Sequence, residues 1–214
     1  AAVKTGVKPI FGCEVYMGEV GEQRTQRKNH LTVLATDLNG YQNLMRLVSR
    51  GWEQFYYEPT VSFEDLEEFN QGLIVLSGCT GSLMSTSMVG GKNVAPEDAS
   101  LKRAKAVARK FKRVFGDRYY LETQAFPELE NVCQINQGLA VLSKELEIPL
   151  VATGDVHYTR PSEQEMQQIL HNVRGGNRKT LEEQARDWGY DIKLCPPTSD
   201  RYIYRRLRAT GLSK

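Results

Sequence analysis

Long apolar runs are missing from this sequence. None approaches the ~18 residues of a membrane-spanning helix, and the purest, Leu73–Leu76 and Ile148–Ala152, are strand-sized. A secretory leader is missing too: the chain opens Ala1-Ala2-Val3-Lys4, with neither a Met nor an apolar h-region. The expectation is an internal piece of a longer, cytoplasmic protein with no membrane partner. Cysteines are few and scattered, four in 214 residues at 13, 79, 133 and 195, and no two form a C-x-x-C. A chain this long buries a core without covalent staples, so the thiols read as reduced, small and partly buried. An excess of one charge sign is also lacking. Twenty-eight Lys and Arg against 26 Asp and Glu leave +2, and the isoelectric point near 8.3 lies below the ~9 of a basic nucleic-acid domain. With 40% apolar residues and balanced charge, the composition is not that of an unfolded chain.

What is present is an alternation of strand-like and helix-like segments, without internal repeats. Cys13–Met17, Leu31–Ala35, Leu73–Leu76, Tyr119–Thr123 and Leu150–Thr153 are short, apolar and rich in β-branched or aromatic residues. Between them, three stripes follow the helical period: Leu44, Leu47, Val48, Trp52 and Phe55; Ala104, Val107, Ala108, Phe111 and Phe115; and Val132, Ile135, Leu139, Leu142 and Leu146. Ser162 with Glu165 and Thr180 with Glu183 have the capping-box spacing. A last helix is predicted after Ser199, ending before Gly211. This alternation predicts an α/β fold with mostly parallel strands, whose chemistry gathers at the strands' carboxyl ends. After Gly176 the sequence turns polar and basic, which divides it into a main domain, 1–175, and a linker with the start of another unit, 176–214.

Reactive residue types cluster at the predicted strand ends. Asp155 and His157 follow the strand Leu150–Thr153, and in an extended segment residues i and i+2 share a side. They therefore either reach one metal ion together or stand as a surface carboxylate and a half-buried imidazole. Cys79 lies in Ser77-Gly78-Cys79-Thr80-Gly81-Ser82, which is either a thiolate ligand in a tight turn, a phosphate-cradling loop, or a strand-to-helix turn with a packed thiol. Glu14 sits among apolar neighbours on a strand. It is paired or metal-bound if buried, and points outward if the strand has a solvent face. His30 precedes its strand and so falls at the amino end, against the strand-end rule. Lys102, Lys105, Arg109 and Lys112 share one helix face. That stripe would attract a nucleic-acid backbone, but it is equally the solvated side of an amphipathic helix, the reading preferred here.

Five segments occur in order: Lys8-Pro9-Ile10-Phe11-Gly12-Cys13-Glu14-Val15-Tyr16; His30-Leu31-Thr32-Val33-Leu34-Ala35; Gly40-Tyr41-Gln42-Asn43-Leu44; Gly72-Leu73-Ile74-Val75-Leu76-Ser77-Gly78-Cys79; and Pro149-Leu150-Val151-Ala152-Thr153-Gly154-Asp155-Val156-His157-Tyr158. Together they resemble the PHP (polymerase and histidinol phosphatase) domain at the front of bacterial DNA polymerase III alpha subunits. The resemblance runs from about Gly6 to Leu181, and the tail from Leu194 to Leu212 looks like the entry to a polymerase body.

The resemblance implies a distorted, TIM-like β/α barrel around a metal cluster. It places Glu14, His30, Cys79, Asp155 and His157 at ligand positions, with Asp155 and His157 as the catalytic pair. It implies divalent ions, zinc or manganese first and magnesium or iron next. The parent would be a DNA-directed DNA polymerase of DNA replication, with primer-template DNA and other replisome subunits as partners. Its PHP domain would be a phosphoesterase acting as a 3′-5′ proofreading exonuclease. A non-catalytic scaffold and a free-standing small-molecule phosphatase are the alternatives. The family's His-x-His strand and Asp-His pair belong upstream of the Glu14 motif and lie outside this sequence. The expectation is therefore an incomplete barrel with about half of the metal site, and little or no activity for the chain alone.

Overall fold

The computed structural model of the chain describes residues 2–21, 24, 27–91, 93–174 and 192–212. Thr180 and Glu183 lie outside the described residues. The elements are β1 (Gly12–Met17), β2 (Asn29–Ala35), α1 (Leu38–Glu53), α2 (Phe63–Glu68), β3 (Leu73–Leu76), α3 (Leu83–Val89), α4 (Leu101–Phe115), β4 (Tyr119–Gln124), α5 (Glu130–Leu146), β5 (Leu150–Thr153), α6 (Gln164–Arg174) and α7 (Asp200–Ala209). All five predicted strands form, and they build one mixed sheet in the order β1-β2-β3-β4-β5. Among the described residues no helix is long and apolar enough to cross a membrane.

The strands are not mostly parallel. β2 runs antiparallel to both β1 and β3, and β3 runs parallel to β4. A parallel neighbour requires a crossover, usually one helix. The link 18–28 between β1 and β2 is shorter than the dozen or more residues that a crossover to a parallel neighbour needs. Between β2 and β3 the chain makes two helices, α1 and α2, and it re-enters the sheet at the end where β2 left it, Leu73 standing opposite Ala35. The β3–β4 link also makes two helices, α3 and α4, yet it enters β4 parallel to β3, so the number of helices alone does not set strand direction.

Contacts divide the chain into two compact units. The first is Ala1–Glu122 with Gly138–Val151, and the second is Thr123–Gln137 with Ala152–Lys214. In the first unit, strand alternation separates two faces. Val15, Met17, Leu31, Val33, Val75 and Leu121 are buried, while Glu14, Tyr16, His30 and Thr32 stand at the intervening positions. α1 packs against β1, β2 and β3, and α4 against β3. Phe111 of α4 stacks on Tyr119 with centroids 5.2 Å apart and meets Phe63 edge-on at 5.3 Å.

The stripe on α1 is offset from the one the sequence predicts. Gly40, Asn43, Leu44, Leu47 and Gly51 face inward, whereas Trp52 is 61% exposed and stacks on the exposed Phe55 at 5.7 Å. Two polar or small residues set this rotation. Gly40 lies so close to Gly72 that a Cβ would fall 1.9 Å from its carbonyl oxygen, and Asn43 Nδ2 donates to the Gln71 carbonyl at 2.8 Å. Periodicity sees neither contact.

On α4 part of the basic stripe makes contacts within the chain, while Lys102 and Arg109 stand exposed. Lys105 pairs with Glu145 at 2.6 Å, Arg113 pairs with Glu67 at 2.9 Å, Lys112 donates to the Leu146 carbonyl, and Lys110 lies 3.8 Å over the Phe63 ring.

In the second unit, Phe126, Val132 and Ile192 form a small core flanked by Leu129 and Leu194. α7 starts where predicted, with Ser199 Oγ accepting the Tyr202 N–H at 3.2 Å. Arg206 donates to both Glu128 oxygens, at 2.9 and 2.6 Å, and to the Ala125 carbonyl at 2.7 Å. These bonds hold the Glu128 carboxyl below its ordinary range. The Ser162–Glu165 box does not form. Pro161 opens a 3-10 turn instead, and Glu163 accepts the N–H groups of Thr159 and Arg160, both at 3.0 Å.

Leu47 is fully buried, so Leu47→Ala is expected to lower the stability measured by urea unfolding by about 2–5 kcal/mol. Trp52→Ala, on the exposed flank of the same helix, is expected to change it by less than about 1 kcal/mol. A loss in Trp52→Ala as large as that in Leu47→Ala would restore the sequence-predicted stripe, which buries both.

Candidate metal centre

The polar face of the first unit's sheet carries the candidate site. In β1 and β2 the register pairs Glu14 with Thr32 and Tyr16 with His30. Glu14 and His30 are therefore diagonal neighbours on one face, within reach of long side chains. Their atoms meet: Glu14 Oε1 lies 2.6 Å from His30 Nδ1. The Tyr16 ring stands edge-on to the imidazole at 5.4 Å and limits its rotation. Because β2 is antiparallel to both neighbours, its amino end lies beside the carboxyl ends of β1 and β3. His30 thus satisfies the strand-end rule it seems to break when all strands are taken as parallel.

Cys79 comes from the turn after β3. Its Sγ lies 3.5 Å from His30 Nδ1 and accepts the Gly81 N–H at 3.4 Å. The His30 N–H in turn donates to the Gly81 carbonyl at 3.3 Å. The turn needs glycine at 78: φ is +84°, and a Cβ there would fall 2.7 Å from the His30 carbonyl oxygen. Of the open readings for this loop, the geometry favours a thiol facing the imidazole and carboxylate.

Carboxylate oxygen, imidazole nitrogen and thiol sulfur of Glu14, His30 and Cys79 all lie within 4.8 Å of one another. One nitrogen, His30 Nδ1, faces both other donors. A proton on that atom suits Glu14, and a cation displacing it would meet oxygen, nitrogen and sulfur together. That donor set fits a divalent ion, and sulfur with imidazole matches zinc in particular. Close by, the Cys13 thiol is pushed up from its ordinary pKa by burial and then by the Glu14 charge.

Asp155 and His157 lie in the second unit, after β5. They come together, but not by strand alternation. Asp155 has φ of +44°, a left-handed conformation that aspartate tolerates better than most residues. The bend brings the Asp155 carbonyl oxygen to 2.7 Å from His157 Nδ1 and its Oδ1 to 3.8 Å. A carbonyl can only accept, so Nδ1 is the donor nitrogen of this contact. The segment is pinned at its far side: the His157 N–H donates to the Leu194 carbonyl at 2.8 Å, and the Leu194 N–H donates to the Tyr158 hydroxyl at 2.8 Å.

Sequence reasoning missed Glu122. It is 6% exposed on β4, and its Oε2 accepts the Gly78 N–H at 3.1 Å and the Thr32 hydroxyl at 3.4 Å. The available signal was a carboxylate inside the apolar run Tyr119–Thr123, the same signal that singled out Glu14.

Two results follow for this face. Gly78→Ala is expected to destabilise the chain by about 1–3 kcal/mol in urea unfolding, from backbone strain and displacement of the His30 carbonyl. Alkylation of Cys13 is expected to be slower in the folded chain than in denaturant wherever an ordinary thiol ionises, and Glu14→Gln is expected to speed it. An alkylation rate indifferent to Glu14→Gln would contradict the placement of that carboxylate beside the thiol.

The family profile described as "PHP domain" matches residues 1–126. Curated relatives include "DNA polymerase III subunit alpha" of Borreliella burgdorferi, 33% identical over 188 residues, covering 85% of this chain and 16% of the relative. The proteins of the same name from Thermus aquaticus and Treponema pallidum are 36% and 38% identical over 197 and 176 residues, covering 86% and 77% of this chain. The chain spans only 15% and 14% of those two relatives. With the profile covering more than half of its length, the chain belongs to the PHP domain family.

Proposed function

We propose that this chain is the PHP portion of a replicative DNA polymerase alpha subunit, and that Glu14, His30 and Cys79 hold a divalent cation, zinc before manganese, in the service of phosphodiester hydrolysis at 3′ primer ends. The observation that carries the reading is the convergence of three different ligand types within 4.8 Å. A divalent ion bound there supplies Lewis-acid activation of water and neutralisation of charge on the phosphate. The chain's own residues orient it: Tyr16 restrains the His30 ring, and the Gly78 turn presents Cys79.

Asp155 and His157 are proposed as metal-binding residues and as the pair that handles the proton. The Asp155 carbonyl holds Nδ1 as the protonated nitrogen, which leaves Nε2 basic, the tautomer a ligand or a general base requires. DNA and other replisome subunits are the proposed partners and the cytoplasm the proposed compartment, following the relatives' shared name. Residues 176–214 are proposed to lead into the next part of that protein.

One observation favours a second reading, a structural centre without turnover. The three donors come from β1, from β2 and from the turn after β3, so an ion held by them would tie three segments together. Both readings predict bound metal. After dialysis against zinc, about one equivalent per chain is expected by elemental analysis, falling sharply in Cys79→Ser. Unchanged content in that variant overturns both. The full-length parent protein separates them: metal-dependent release of a 3′ nucleotide from a mismatched primer, lost in Asp155→Ala, supports hydrolysis. Metal-dependent thermal stability without any nucleotide release supports the structural centre.

A further inference from the structure

We infer that Glu122 is a positioning residue of the metal centre, its buried carboxylate holding the turn that carries Cys79 against the strand that carries His30. The inference rests on the metal reading above and deepens it. Glutamate is rarely this buried unless its oxygens are hydrogen-bonded. Here one oxygen receives donors from two ligand-bearing segments. Gly78, whose N–H it accepts at 3.1 Å, immediately precedes Cys79, and Thr32, whose hydroxyl it accepts at 3.4 Å, lies two residues beyond His30.

The backbone of Glu122 takes part as well. Its N–H donates to Ser77 Oγ at 2.8 Å, and the Ser77 N–H donates to the Tyr120 carbonyl at 2.9 Å. Ser77 and Gly78 are therefore fixed from β4 by main chain and side chain together. Because Gly78 packs directly on the His30 carbonyl, a turn held this way keeps the Cys79 sulfur at its 3.5 Å separation from His30 Nδ1. Glu122 stands outside the donor group formed by Glu14, His30 and Cys79. It acts on the ligands and not on the ion. Outer-shell partners of this kind change metal affinity about 10- to 100-fold when lost.

Two conservative variants separate reach from charge. Glu122→Gln keeps the length and an acceptor oxygen for Gly78 but removes the charge. Glu122→Asp keeps the charge but withdraws the acceptor by about 1.5 Å, one carbon–carbon bond. The probe is cobalt(II) alone, titrated into the full 214-residue chain, with affinity and the near-ultraviolet thiolate-to-cobalt band recorded together. Glu122→Gln is expected to bind within about threefold of wild type with the band intact. Glu122→Asp is expected to bind about 10- to 100-fold more weakly with the band diminished. An Asp variant equal to wild type, or a Gln variant as weak as the Asp variant, overturns the inference; the latter would make the charge, and not the hydrogen bond, the operative feature. Cys79→Ser keeps this failure distinct from failure of the metal reading. A wild-type band lost in Cys79→Ser establishes the centre whatever Glu122 does, whereas no cobalt binding by wild type overturns both.

Discussion

The register of β2 between β1 and β3 governs the site. Glu14 opposes Thr32, and Tyr16 opposes His30. Strand side chains alternate with a period of two, so a slip of one residue would turn His30 into the core and Leu31 and Val33 out of it. Burial of Leu31 and Val33, with Val15 and Met17 beside them, resists that slip. The apolar face thus fixes the polar one. The carboxylate and the imidazole meet at 2.6 Å as a consequence of packing on the far side of the sheet, and the Cys79 turn is added to a platform already set.

The same platform shows where a sequence can be read and where it cannot. The strands were legible because each is a short apolar run, and α7 because Ser199 caps it. Strand direction was not legible, since two intervening helices lead to an antiparallel neighbour in the β2–β3 link and to a parallel one in the β3–β4 link. The α1 stripe misled because its rotation is set by Gly40 against Gly72 and by Asn43 on the Gln71 carbonyl, contacts between segments far apart in sequence. Glu14, His30 and Cys79 were legible as residue types, yet their convergence depended on β2 being antiparallel. Asp155 and His157 do meet, but through a left-handed bend at Asp155 and not through the strand alternation that suggested them. Glu122 carried the same signal as Glu14, a carboxylate in a strand-like run, but its role depends on partners, Gly78 and Thr32, that only the fold brings beside it.

Family membership and the site's chemistry are separate matters. The PHP profile and the polymerase relatives identify the lineage, and the chain spans about a sixth of the first of those relatives. The donor cluster stands on geometry alone: oxygen, nitrogen and sulfur within 4.8 Å, on the polar face of a sheet whose opposite face is core. The basic face of α4 shows the reverse case. A pattern suggestive of nucleic-acid binding is engaged in part within the chain, Lys105 by Glu145 and Lys112 by the Leu146 carbonyl.

The most direct test of the central claim is anomalous diffraction at the zinc absorption edge from crystals of the chain grown with zinc. A strong anomalous peak is expected, enclosed by the Glu14 carboxylate, His30 Nδ1 and Cys79 Sγ. A zinc-soaked crystal with those three side chains still in mutual contact and no anomalous density between them would contradict it.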